Sequence, residues 1–90
     1  MAEIKFTNAL KRFYPDLSSF QSEASVVADV IEIIEGRYPG IKSYVVDEQG
    51  RLRKHVNIFV DGKMVEDRES LSDALQPGSE VYIMQALSGG

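Results

Sequence analysis

The sequence closes with Ala86-Leu87-Ser88-Gly89-Gly90. A carboxylate carried on two glycines has no side chain near the reacting carbon, so it can thread a narrow channel and be approached from either face. With a pKa of about 3.5 it is ionised at neutral pH and can attack the α-phosphate of ATP as an acyl-forming nucleophile. Five residues, fully extended at about 3.3 Å each, span roughly 17 Å, enough to reach into the active site of a second protein. The plain alternative is a frayed glycine-rich end with no role. We therefore expect a domain over residues 1–85 and a flexible tail over 86–90. In that tail Gly90 is the reacting group, and Gly89, Ser88 and Leu87 form the arm that presents it.

Other chemistry is scarce. The chain has no cysteine and a single histidine, which removes thiolate nucleophiles, disulfides, iron–sulfur ligation and Cys-type zinc sites together. His55 alone cannot be a multi-histidine metal centre, and it reads as a surface residue where a strand begins. Glu66, Asp67 and Glu69 lack the ligand spacing of a calcium loop and read as a charged turn. Arg51, Arg53, Lys54 and His55 make a basic stretch interrupted by Leu52 and preceded by Asp47 and Glu48, which reads as a solvated loop. No catalytic residues, bound cofactor or metal are expected.

Composition agrees with a small presenting domain. Ninety residues suffice for one modest core, and 10 basic against 14 acidic side chains leave a net charge of −4. Such a balance argues against binding nucleic acid through phosphate contacts. The opening Met1-Ala2-Glu3-Ile4-Lys5 lacks the pattern of a secretory signal, and no stretch approaches a membrane span. We expect a cytoplasmic protein with neither membrane nor nucleic acid as partner.

The elements follow from hydrophobic period. Ile4 and Phe6 alternate with polar neighbours, which is the period of a strand, and Phe20 marks a weaker one across Ser18–Ala24. The two are expected to form a hairpin. Val27, Val30, Ile31 and Ile34 then recur at helical spacing, with Val26 and Ile33 broadening the stripe. Ser25 is the expected N-cap, Asp29 favours the first turn, and Tyr38-Pro39-Gly40 ends the helix. Val56 to Val60 reads as a strand closed by the turn Asp61-Gly62, with Lys63-Met64-Val65 returning along its edge. Leu71 and Leu75 suit one turn of helix before Pro77-Gly78, and a last strand is expected from Glu80 to Gln85. The order is strand, strand, helix, strand, short strand, strand. It predicts an α+β fold in which a mixed sheet of four to five strands wraps one main helix, the β-grasp arrangement.

Alternation also predicts a surface. If Val56, Ile58 and Val60 face the helix, Phe59 faces away, and if Val81 and Ile83 face in, Tyr82 and Met84 face out. Phe59, Tyr82 and Met84 would then form an exposed apolar patch just before the tail, and contiguous patches of this kind mark partner sites. The competing reading is that these side chains merely cover their own sheet.

Val56-Asn57-Ile58-Phe59-Val60-Asp61-Gly62, then Leu75-Gln76-Pro77-Gly78-Ser79-Glu80-Val81-Tyr82-Ile83, then Gly89-Gly90, resemble the ubiquitin-like sulfur carriers. That family includes the small subunit of molybdopterin synthase and the carriers of thiamine and cysteine synthesis; the stretch from Val46 to Lys54 is closer to the molybdopterin and cysteine branch. The resemblance implies a carrier and not an enzyme. An E1-like enzyme would adenylate the Gly90 carboxylate with ATP, a sulfur donor would displace AMP to leave a thiocarboxylate, and a downstream enzyme would accept the sulfur. Two alternatives stay open: a ubiquitin-like modifier joined through Gly90 to a lysine, and a β-grasp interaction module whose diglycine end is accidental.

Overall fold

The computed structural model describes residues 1–85. Strand β1 (Ala2–Phe6) buries Ala2 and Ile4 and turns Glu3 and Lys5 outward, as a two-residue period requires. After a helical turn, α1 (Asn8–Lys11), the chain returns as β2 (Phe20–Ser22), antiparallel to β1. Then come the main helix α2 (Val27–Arg37), a second single turn α3 (Lys42–Val45), β3 (Val56–Val60), the short edge strand β4 (Lys63–Met64) and β5 (Glu80–Gln85). The strands make one mixed sheet in the order β2-β1-β5-β3-β4. β5 lies at its centre, parallel to β1 and antiparallel to β3.

One face of this sheet and α2 share the core. Cross-strand register sets Ile4 beside Val81 and Ile83 beside Ile58, and all four side chains are fully buried with Val27, Val30 and Ile34 of the helix. Truncating one such side chain to alanine costs about 2–5 kcal/mol, against a total stability of about 5–15 kcal/mol for a domain of this kind.

The ends of α2 are set by partners distant in sequence. Its N-cap is Val26, not Ser25. Valine offers no side-chain acceptor, so the first N–H groups bond elsewhere: Val27 donates to the Asp73 carbonyl (3.0 Å) and Ala28 to that of Leu71 (2.8 Å). The Asp29 carboxylate reaches back to the N–H of Ser25 at 3.0 Å. This arrangement also corrects the helical turn expected across Leu71–Leu75. The segment is not helical, Leu71 holds the left-handed conformation at φ 53°, and Ala74 bridges to Val26. A helical turn would use its carbonyls internally, whereas here they cap α2. At the other end the Glu35 carboxylate accepts from the N–H of Gly40 and of Lys42, both at 2.9 Å. Those bonds favour its charged form and hold its pKa below the ordinary value.

Two further expectations are revised. β2 is limited to Phe20–Ser22, and it is joined to β1 through residues 7–19, not by a tight connection. β4 stops at Met64, and Val65 turns inward while its N–H still donates to Ile58 (2.9 Å). A wrap of aromatic rings closes the α1 side: Phe6 packs near Phe20 and Tyr38, and Tyr14 lies edge-on to both Tyr38 and Tyr44. Gly40 is needed there, because its φ is 95° and a Cβ would sit 2.8 Å from the Tyr14 hydroxyl.

Candidate functional site

The sheet face turned away from α2 carries the candidate surface. Register aligns Lys5, Tyr82, Phe59 and Met64 in one row across β1, β5, β3 and β4, and residues opposite one another share a face. Phe59 and Tyr82 are half-buried by their neighbours, whereas Met84 is 38% and Met64 54% exposed. Phe59, Gly62, Glu80, Tyr82 and Met84 line a shallow cavity of about 230 Å³. The structure therefore brings Phe59, Tyr82 and Met84 together on the outer face.

Met64 extends this surface and was missed in the sequence. The signal was present in Asp61-Gly62: both residues have positive φ, 51° and 85°, which is the mirror-image turn that closes a two-residue hairpin. Such a turn places Met64 opposite Phe59. Asp61 also fastens the hairpin to β5, since its carboxylate accepts the Glu80 N–H at 2.8 Å and the Ser79 hydroxyl at 2.9 Å. Beside the apolar row Lys5 pairs with Glu80 at 3.1 Å, and the hydrogen bond and charge of Glu80 raise its pKa.

β5 carries the chain from this face to the root of the tail. The Gln85 N–H donates to the Thr7 hydroxyl at 3.3 Å, the Thr7 N–H donates to the Ile83 carbonyl at 3.1 Å, and Gln85 is in register with Val56. The end of β5 is thus held on both flanks. Leu87, Ser88, Gly89 and Gly90, with the boundary of the 86–90 tail, lie outside the described residues.

The remaining chemistry-bearing groups have structural roles or stand apart. His55 occupies the turn that leads into β3. Asp67 organises its own loop: its carboxylate accepts from the Ser72 hydroxyl and from the N–H groups of Ser70 (2.9 Å), Ser72 (3.2 Å) and Glu69 (3.1 Å). That shell, the Ser72 hydroxyl foremost, lowers its pKa to about 2. Among the described residues no group of three or more His, Cys, Asp or Glu side chains is placed to hold a metal ion, and no helix is long and apolar enough to cross a membrane.

The model of the ThiS family matches residues 4–90. The chain belongs to the ThiS family. Among its relatives, the sulfur carrier protein CysO of Mycobacterium tuberculosis is 31% identical over 74 residues, 80% of each chain. Small archaeal modifier protein 3 of Haloferax volcanii is 29% identical over 66 residues, 73% of this chain and 71% of the relative. The crystal structure of the Amycolatopsis orientalis BexX/CysO complex contains a chain that superposes with a TM-score of 0.83 at 22% identity, covering 100% of both chains. That likeness establishes the ubiquitin-like β-grasp fold for this ThiS-family member. Its sequence relatives comprise both a sulfur carrier and a protein modifier.

Proposed function

We propose that the chain is a sulfur carrier protein acting through the carboxylate of Gly90. The observation that carries the reading is the family match running through the diglycine, joined to a relative that is itself a named sulfur carrier. An E1-like enzyme binds the outer face at Phe59, Tyr82 and Met84 and brings ATP to the tail. The Gly90 carboxylate attacks the α-phosphorus and pyrophosphate leaves. Sulfide, or the sulfur of a donor protein, then attacks the acyl carbon and AMP leaves, which places sulfur at the terminus. The thiocarboxylate is a soft nucleophile that a downstream biosynthetic enzyme accepts, for molybdopterin, cysteine or a related product. The chain itself supplies no catalytic group and binds no cofactor; ATP is consumed by the partner, in the cytoplasm.

A second reading has specific support in the similarity to small archaeal modifier protein 3. In a modifier the same acyl adenylate is captured by a lysine amine. Intact-mass measurement after incubation with an E1-like enzyme, ATP and sulfide separates the two. Sulfur carriage predicts replacement of one oxygen by sulfur at the terminus, lost when Gly90 is deleted. Only lysine conjugates, with no thiocarboxylate, would establish the modifier instead.

A further inference from the structure

The carboxylates nearest the strands of this acidic chain gather toward one end, where Lys5 and Lys63 also lie. At one end of the sheet lie Glu80, which starts β5, Glu3 in register with it, Asp61 in the turn bonded to it, and Glu23 just after β2. At the other end, where β5 delivers the tail, the flanks are basic. Val56 faces Gln85 in register, and its N–H donates to the Arg53 carbonyl at 3.0 Å, which sets the turn Arg53-Lys54-His55 beside the tail root. On the opposite flank Thr7 holds Gln85 and leads into α1, which carries Lys11 and is followed by Arg12.

The Arg53–His55 turn forms one wall of an open cavity of about 500 Å³. Arg51, Arg53, Lys54 and Arg68 bring four positive charges to it, against two from Asp47 and Glu69. Three of the cations are already engaged. Arg51 pairs with Asp47 at 3.1 Å, and Arg68 bonds the Asn57 side chain (2.9 Å) and the carbonyls of Arg53 (2.7 Å) and Val56 (3.0 Å). Arg53 is engaged in the same way as Arg68, donating its Nε to the Ser43 carbonyl at 2.8 Å. Lys54 is exposed and takes part in no ion pair among the described residues.

We infer that this basic cavity at the tail root binds an acidic segment of the enzyme that receives the tail, orienting the carrier with its carboxyl terminus toward the active site. The inference rests on the sulfur-carrier reading and adds the chemistry of the partner surface. An acidic protein segment fits better than RNA. The local excess is only two charges, whereas nucleic-acid binding draws on about 6–10 phosphate contacts, and the chain as a whole repels a polyanion. A short acidic segment needs only the local field.

The test uses the full chain and the adenylating enzyme that loads it. Lys54→Glu and Lys63→Glu make the same change in net charge at exposed, unpaired lysines on opposite ends of the sheet: Lys63 pairs with Val60, beside the start of β5. Association measured by stopped flow at low salt should slow about tenfold for Lys54→Glu, with the gap closing at high salt, and Lys63→Glu should track wild type. Equal effects of the two substitutions, or a Lys54→Glu chain that associates as wild type while loading proceeds, would overturn the basic root alone. A single-stranded RNA oligonucleotide bound by wild type and released by Lys54→Glu would overturn the choice of a protein partner. A wild-type chain that takes up no sulfur from any E1-like enzyme overturns the carrier reading, and this assignment with it.

Discussion

Ile58 and Phe59 are neighbours in β3 whose side chains leave opposite faces of the sheet, so alanine at each position separates packing from docking. Ile58 is fully buried against Ile83 and the helix. Its truncation should cost about 2–5 kcal/mol. With a melting shift of about 4–8 °C per kcal/mol in a domain this small, the loss should be at least about 8 °C. Phe59 stands opposite Tyr82 on one side and Met64 on the other and remains partly exposed. Two cross-strand pairs at about 0.2–1 kcal/mol each sum to about 0.4–2 kcal/mol, with a middle value near 1 kcal/mol, or about 4–8 °C. If the outer face docks the activating enzyme, Phe59 sits near the centre of the contact. Its loss should then cost about 2 kcal/mol of binding, roughly 30-fold in affinity. Thermal unfolding followed by circular dichroism gives the first quantity, and titration with the enzyme well below both melting temperatures gives the second. Ile58→Ala should lose the greater stability and keep affinity; Phe59→Ala should lose less stability and about 30-fold in affinity. Equal melting losses for the two variants, or unchanged affinity in Phe59→Ala, would refute the separation of faces.

Two further outcomes follow from local geometry. Asp67 has a folded-state pKa of about 2 against an ordinary 3.8, so its contribution is fully present above about pH 4 and is lost as pH falls through 2. Melting temperature should therefore fall more steeply between pH 4 and 2 in wild type than in Asp67→Asn; parallel curves would mean that its N–H and hydroxyl shell contributes nothing. Gly40→Ala should destabilise by more than about 1 kcal/mol in thermal unfolding, because the left-handed backbone and the 2.8 Å approach of the Tyr14 hydroxyl act together. Pairing it with Tyr14→Phe should recover only the steric share.

The parts legible in the sequence are those where a local period and a tertiary role coincide. Val27, Val30, Ile31 and Ile34 repeat at helical spacing because one face of α2 is buried. Glu80–Gln85 alternates because β5 has one wet face. Where structure is set by distant partners the pattern falls silent or misleads. Leu71 and Leu75 have the i,i+4 spacing of a helix, but both are buried in a non-helical segment whose carbonyls cap α2. Ser25 is the better capping residue by type, yet the cap falls on Val26 because those carbonyls replace a side chain. Single-turn helices such as α1 and α3 are too short to show a period at all. Of the candidate surface, Phe59, Tyr82 and Met84 followed from alternation, whereas Met64 required the register imposed by Asp61-Gly62. The grouping of basic residues at the tail root depends on the pairing of Val56 with Gln85, which no local pattern carries.

On the sulfur-carrier reading we propose, the position of β5 explains how the domain can serve chemistry done by a partner. A tail hung from an edge strand would swing with the fraying of that edge, and edge strands are bonded on one side only. β5 is instead bonded along both flanks, to β1 and to β3, and Gln85 is still held by Thr7 and Val56 where the strand ends. Tyr82 and Met84 belong to that same strand, so the distance from docking face to tail root is set by a few residues of extended backbone at about 3.3 Å each. A partner that grips the outer face therefore knows where the tail begins. The five residues beyond Gln85 have a maximum span of roughly 17 Å, which bounds how far the Gly90 carboxylate can lie from that anchored point. In the carrier we propose, such an anchor converts a collision between two proteins into an encounter between a tethered carboxylate and a fixed active site, the arrangement that raises effective concentration.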